Sequence, residues 1–370
     1  GGDEDSLDSG LVFLFSQPVD LLTYPAGHML RQVMDEGEEL VGRHDDDDAE
    51  DDQHGERAGK AENFGLRGSG DEHLKAGSEK SAEDVHENDG GKESRAESKE
   101  SVIAHVTSAA ETALSLSPDF ALFQETDTSS TRSHHVNERT LIADVFSSFQ
   151  SVFAVNYHSA YLMYPIFEPH GKSNSGILTF SKTAISSAVR RSLPISSSLS
   201  KLLDLDRCYS VSRIPAENGK EFVLYNVHLS AYGGSDEIRA AQMNMLFSDM
   251  KTEYDKGNYC LAGGDFNHDF TGSSAVDLNG EEGAGSFDWA QPFPADLLPD
   301  GISRALDYTC GEQRPTCRNC DVPYREGNYT VIVDGFLHSV NVTIEYLENV
   351  QLSFADSDHN PVAIKFSLQA

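Results

Sequence analysis

The chain has 370 residues and 38% apolar content, enough for one large domain or two modest ones with a proper core. Its 61 acidic residues against 28 basic ones leave a net charge of −33, which repels nucleic acid and anionic lipid at long range and argues against a stable nucleic-acid complex. No apolar run approaches the roughly 18–20 residues of a membrane helix, and an odd count of five cysteines does not make a disulfide framework.

In chain order, residues 11–24 offer a strand or two, beginning with "LVFLF". Residues 35 to 100, including "HDDDDAEDDQHGE", carry too few apolar side chains to offset the entropy of ordering and read as disordered. Residues 1–99 are therefore expected to be an acidic low-complexity region with an irregular first-strand candidate, and 100–370 a folded domain. The opening Gly-Gly, in place of Met, reads as a trimmed piece of a longer protein. No signal peptide or membrane segment is seen, and the parent's compartment, membrane-anchored or secreted, stays open.

"SVIAHVTSAAETALSLSPD" has helical apolar spacing and stops before Pro118. "FALFQE" reads as a strand, 137–148 as a second helix, and "GILTFS", "YSVSRI", "FVLYNVHLS" and "YCLAGGDFN" as further strands. A helix, "DEIRAAQMNMLFSDMKTEYDK", separates the last two; "YTVIVDGFLHS", "VTIEYL" and "PVAIKFSL" close the chain as strands. This order predicts an α/β (α+β) four-layer sandwich: two packed, mostly antiparallel mixed sheets flanked by helices. Cys310, Cys317 and Cys320 in "TCGEQRPTCRNC" read as loop thiols, because a zinc site wants a fourth ligand and no histidine is close.

Several strands end in a dense polar group. "FALFQE" ends at Glu125, "LYNVHLS" carries His228, and "LAGGDFN" delivers Asp265 and Asn267; "VIVDGF" holds Asp334 within a strand, and "SDHNP" places Asp358 and His359 before the last one. Strand alternation would point Asp265 and Asn267 to one face and Phe266 into the core. Taken singly, each has a bland reading: a solvated strand end, a turn, a satisfied core histidine.

Together, "QE", "NVHL", "GGDFN", "VDGFLHS" and "SDHNPV", in that order over residues 100–370, resemble the endonuclease/exonuclease/phosphatase superfamily, the deoxyribonuclease- and sphingomyelinase-like phosphoesterases. The wording around "TRSHHVN" and "HGKSNSGIL" looks most like a bacterial branch of it. The resemblance implies a metal-dependent hydrolase of a phosphate ester, phosphodiesterase or phosphatase, working by direct attack of activated water. It implies Mg²⁺, with Mn²⁺ as a substitute, held by Glu125 and Asp358. Asp265 would orient or deprotonate the water, Asn267 would hold it and the phosphate in register, and His228 would donate to a phosphoryl oxygen. His359, paired with Asp334, would complete the site. A phospholipid head group, a phosphoinositide, a nucleotide or a nucleic acid all remain open as substrate, and the protein is expected to be a monomer.

Weaker candidates are His158, His170, Asn174, His268 and Asp269, the last as an outer group or a helix cap. Arg207 and Arg213 are expected in surface ion pairs. The family's first strand carries an asparagine that supports the metal-binding Glu. Here "LLTYP" has Pro25 at that place and "AENFG" offers Asn63, neither cleanly. A catalytically impaired relative, serving as a binding or surface protein, is therefore the competing reading.

Overall fold

The structure is a computed structural model that describes residues 7–16, 98–162, 171–195, 207–216, 219–230, 236–286, 289–319, 324–325 and 327–369. The chain divides into two units, Gly1–Leu30 with Gly90–Ala370 and Arg31–Asp89, and every described residue belongs to the first.

Its strands are β1 (Ser9–Ser16), β2 (Phe120–Asp127), β3 (Gln150–Leu162), β4 (Gly171–Ser181), β5 (Ser187–Ser192), β6 (Cys208–Pro215), β7 (Glu221–His228), β8 (Tyr259–Asp265), β9 (Ile302–Arg304), β10 (Cys317–Arg318), β11 (Thr330–Val331), β12 (Asp334–Ser339), β13 (Val342–Asn349) and β14 (Val362–Leu368). The helices are α1 (Lys99–Ser115), α2 (Glu138–Val145), α3 (Asp236–Asp255) and α4 (Ser274–Ser286), the last broken at Gly280. One six-stranded sheet runs β13-β14-β1-β2-β4-β3 and the other β5-β6-β7-β8-β12-β9. Among the described strands only β1–β2 and β7–β8 pair in parallel. The four-layer expectation therefore holds.

The period of two in the central strands explains the layers. Val12 and Leu14 of β1, Phe120 and Leu122 of β2, Leu224 of β7, Leu261 of β8 and Phe336 of β12 form the core between the sheets. The alternate residues Phe13, Phe15, Ala121 and Phe123 face outward, where Val102, Val106 and Ala109 of α1 and Ile142 of α2 cover them. On the other sheet Val223, Tyr225, Cys260 and Ala262 meet Met243, Leu246 and Phe247 of α3. Ser98 caps α1, its side chain accepting from Ser101 N at 3.0 Å. No helix among the described residues is long and apolar enough to cross a membrane.

The expected strand at the start of 11–24 is present: "LVFLF" is the middle of β1, inserted between β14 and β2, and 17–24 lie outside the described residues. One expectation needs correction. Asp334 lies not within a strand but at its start, because "YTVIVDGFLHS" breaks after Val331 and begins again at Asp334. β3 and β5, each at a sheet edge, were not read from sequence; in β5 every residue of "SAVRRS" is exposed, so it has no apolar period. Pro25, Asn63, His170 and Cys320 lie outside the described residues.

Candidate active site

Both parallel pairs run toward the same edge of the sandwich, and that edge collects the polar ends. Ser16 pairs with Gln124 at the end of β1–β2, and His228 with Asp265 at the end of β7–β8. Asp334, the first residue of β12, stands opposite Asp265. The two glycines before Asp265 allow this crowding. A Cβ on Gly264 would lie 1.9 Å from Val227 O, and one on Gly263 would lie 2.3 Å from the Phe336 ring.

Two site residues occupy the left-handed region, Glu125 at φ 53° and Asn267 at φ 50°. Non-glycine residues there cost of order 1–3 kcal/mol and persist where the surroundings over-determine them. At Glu125 the strand register shifts between Phe123 and Thr126, a bulge that re-aims the carboxylate. Asn267 follows the end of β8 in a turn: its N–H donates to Asp265 Oδ1 at 2.8 Å, and its Nδ2 donates to Asp265 Oδ2 at 3.1 Å and to Leu229 O at 2.8 Å. Strand alternation therefore does not extend past Asp265, and turn hydrogen bonds unite Asp265 with Asn267 instead. The stretch "GGDFN" is both a tight turn and a strand end.

The buried polar groups then converge. His228 Nε2 lies 3.5 Å from Glu125 Oε1 and 3.5 Å from Asp265 Oδ2. Asn156 Nδ2 lies 3.0 Å from His228 Nδ1, and Arg207 Nη1 lies 2.9 Å from Nδ1 and 2.5 Å from Nε2, so donors crowd both ring nitrogens. Burial, with the Arg207 guanidinium beside it, holds His228 well below its usual range and so neutral. His359 Nδ1 donates to Asp334 Oδ2 at 2.7 Å. Burial would depress His359, but Asp334, with Cys317, outweighs it and holds the imidazole well above its ordinary value. Burial and the Asp334 charge push Asp265 up to about 8. Burial likewise raises Asp358, with His359 and Arg318 pulling it down and Glu125 adding to the rise.

Asp358 and His359 are pinned by a strap from the stretch that reads in sequence as a loop of thiols. Arg318 N donates to Asp358 O at 3.0 Å, Asn360 N to Thr316 O at 2.7 Å, and Cys317 bridges His359. Thr316 Oγ1 accepts from the N–H groups of Val333 and Asp334, at 3.0 and 3.1 Å. Cys317 is thus a buried strand residue beneath the site, whereas Cys310 is exposed; both are free thiols.

All seven residues singled out from sequence, Glu125, His228, Asp265, Asn267, Asp334, Asp358 and His359, are buried at this edge. The weaker candidates divide. Arg207 is 2% exposed and lies with Nη1 2.9 Å from His228 Nδ1, in place of the expected surface pair. Arg213 does pair with Glu221 and Glu253. Asp269 accepts from Gly272 N and Ala275 N and caps the turn into α4. His158 is exposed on β3, and Asn174 braces a loop through its backbone, its N–H donating to Ser130 Oγ at 2.9 Å. Ser16, Gln124, Arg132, Asn156 and Thr316 were given no role from sequence, although Gln124 stands in "QE", Arg132 in "TRSHHVN" and Thr316 in "TCGEQRPTCRNC".

Asp358 Oδ2 and Asn267 Oδ1 are buried without a hydrogen-bond partner. Among the described residues no three His, Cys, Asp or Glu side chains form a ready-made cage. The unpartnered oxygens of Asp358 and Asn267 are the donor type that a hard divalent cation takes, alongside water of its own.

A model described as "Endonuclease/Exonuclease/phosphatase family" matches residues 90–359. No curated protein matches the chain in sequence. Solved structures resemble it at low identity. An endonuclease/exonuclease/phosphatase family protein from Leptotrichia buccalis C-1013-b is 14% identical, with 72% of this chain and 94% of that one covered at a TM-score of 0.49. ANGEL2, a 2',3'-cyclic phosphatase, is 14% identical over 73% and 86% at 0.49, and truncated Caenorhabditis elegans TDP2 15% over 72% and 92% at 0.44.

Proposed function

The chain belongs to the endonuclease/exonuclease/phosphatase family, whose members hydrolyse phosphate esters, and from that premise we propose that it is a divalent-metal-dependent phosphoesterase in which water attacks phosphorus directly. The observation that supports this reading is the meeting of Glu125, His228 and Asp265, within 3.5 Å of one imidazole nitrogen, beside the His359–Asp334 pair.

Glu125 and Asp358 would hold Mg²⁺, or Mn²⁺ in its place, which when bound would draw charge from the phosphoryl oxygens. Asp265 is the proton acceptor for water: both its oxygens are fixed by Asn267, and its raised proton affinity suits a base near neutrality. His228, buried and held neutral beside Glu125 and Asp265, would donate to a phosphoryl oxygen. His359, kept cationic by Asp334, and Arg207, a buried guanidinium, supply fixed positive charge for the transition state. The water O–H and the ester P–O bond break, a new P–O bond forms, and the leaving oxygen takes up a proton.

One observation favours the impaired relative. The described end of β1 carries Ser16 rather than an asparagine, and its single hydroxyl faces Gln124 Oε1 and Asp334 Oδ1, each at 3.2 Å. A hydroxyl is shorter than an amide and supplies one donor where the amide has two.

Hydrolysis of bis-p-nitrophenyl phosphate with Mg²⁺ or Mn²⁺, with and without chelator, decides between the two. Metal-dependent turnover orders of magnitude above Asp265→Ala is expected; equal rates would establish the impaired relative. A panel of sphingomyelin, phosphoinositides, plasmid DNA and nucleotides then selects the substrate.

A further inference from the structure

We propose that Arg132 is a positioning residue that sets the metal-facing orientation of Glu125, an inference that rests on the reading of Glu125 as a metal ligand. Arg132 is 3% exposed, in the loop that follows β2. Its Nη1 donates to Glu125 Oε2 at 3.1 Å. Its Nε and Nη2 donate to both oxygens of Asp127, at 2.9 and 3.0 Å, the two-pronged geometry that only a guanidinium supplies. Asp127 is itself anchored, its N–H donating to Glu138 Oε2 at 2.8 Å in the first turn of α2.

The base of Arg132 is fixed too. Thr131 N donates to Lys172 O at 2.7 Å and His135 N to Ser130 O at 2.8 Å, tying the loop to β4 and to itself. One rigid bridge therefore spans the bulge in β2, holding the residues on either side of Thr126. That is where the chain needs a brace, because Glu125 sits in the left-handed region.

The bridge also divides the Glu125 carboxylate. Oε2 is turned to Arg132, while Oε1 is turned to the pocket, 3.5 Å from His228 Nε2. A cation approaching Oε1 would meet an oxygen whose direction is already set, as partners behind a metal ligand generally provide. A purely competing guanidinium would instead block the ligand. The two roles predict opposite changes in metal affinity.

The test is calorimetric titration of the full chain with Mn²⁺, comparing wild type, Glu125→Gln, Arg132→Lys and Asp127→Asn, with thermal melts alongside. Lysine keeps the charge but cannot span Glu125 and Asp127 together. Arg132→Lys is expected to weaken Mn²⁺ binding about 10- to 100-fold, with most of kcat recovered at saturating Mn²⁺. Asp127→Asn frees the guanidinium from its anchor without touching Glu125 and serves if the lysine variant does not fold; it too should weaken binding. If Glu125→Gln loses Mn²⁺ while the other two bind as wild type does, the inference alone is overturned. Tighter binding in Arg132→Lys overturns it as well and makes Arg132 a competitor. If Glu125→Gln binds like wild type, the ligand reading fails and the inference goes with it.

Discussion

Replacing Asp334 by Asn separates catalysis from folding at this site. The carboxylate accepts from His359 Nδ1 at 2.7 Å and from Ser16 Oγ at 3.2 Å, while the backbone N–H of Asp334 donates to Thr316 Oγ1 at 3.1 Å. Asparagine fills the same space and keeps the backbone contacts, but it cannot sustain a charge-assisted bond to imidazolium. Such bonds contribute about 1.5–3 kcal/mol. If that energy keeps His359 cationic in the transition state, kcat should fall about 10- to 150-fold. Stability responds differently. Asp334 also stands opposite Asp265, whose proton affinity its charge raises, so Asn relieves a buried like-charge pair while losing an opposite one. The two changes oppose each other, and Tm should move by only a few degrees. The assay is steady-state hydrolysis of bis-p-nitrophenyl phosphate at saturating Mg²⁺, with melting followed by circular dichroism. An unchanged kcat would refute the role given to the pair, and a kcat loss that tracks a collapse in Tm would show it to be structural.

Thr316→Val should destabilise by about 2–4 kcal/mol, since it strips the acceptor from two buried N–H groups, those of Val333 and Asp334; a urea midpoint equal to wild type would contradict this. Gly264→Ala should abolish folding, because its methyl would meet Val227 O at 1.9 Å, and a native near-ultraviolet circular dichroism spectrum would refute that. Glu253, bonded to Arg213, Lys256 and Asn258, has its carboxyl lowered from 4.5 to about 2. Its contribution, on the order of 3 kcal/mol, is therefore present in full above pH 4.5 and lost as pH falls through about 2. Glu253→Gln should be less stable than wild type at pH 7 and equal to it near pH 2 in urea unfolding; the same gap at both pH values would refute the linkage.

Legibility from sequence followed locality. β2, β7, β8 and β14 announce themselves because each is an apolar run closed by turn residues, and the polar ends of "FALFQE", "NVHL" and "GGDFN" come with them. β1 was harder. Its "LVFLF" is five apolar residues without polar alternation, as a strand covered on both faces must be, and such a run is ambiguous in isolation. Arg207 was misjudged because an arginine in a sequence carries no sign of burial; only the packing of β6 beside β3 and β7 places it on His228.

The residue types that do chemistry at strand ends were written into the order of the chain, because a strand end, its turn glycines and its carboxylate lie within a few residues of each other. What the order could not contain was the distance between those ends. That Ser16 supports Asp334 across 318 positions, that Thr316 and Cys317 strap the Asp358–His359 loop, and that Arg132 shares its guanidinium between Glu125 and Asp127 follow from the register of two sheets and one bulge. Hydrogen-bond partners are chosen by proximity in space, and proximity here is fixed by how β1 inserts between β14 and β2, a pairing no local pattern specifies.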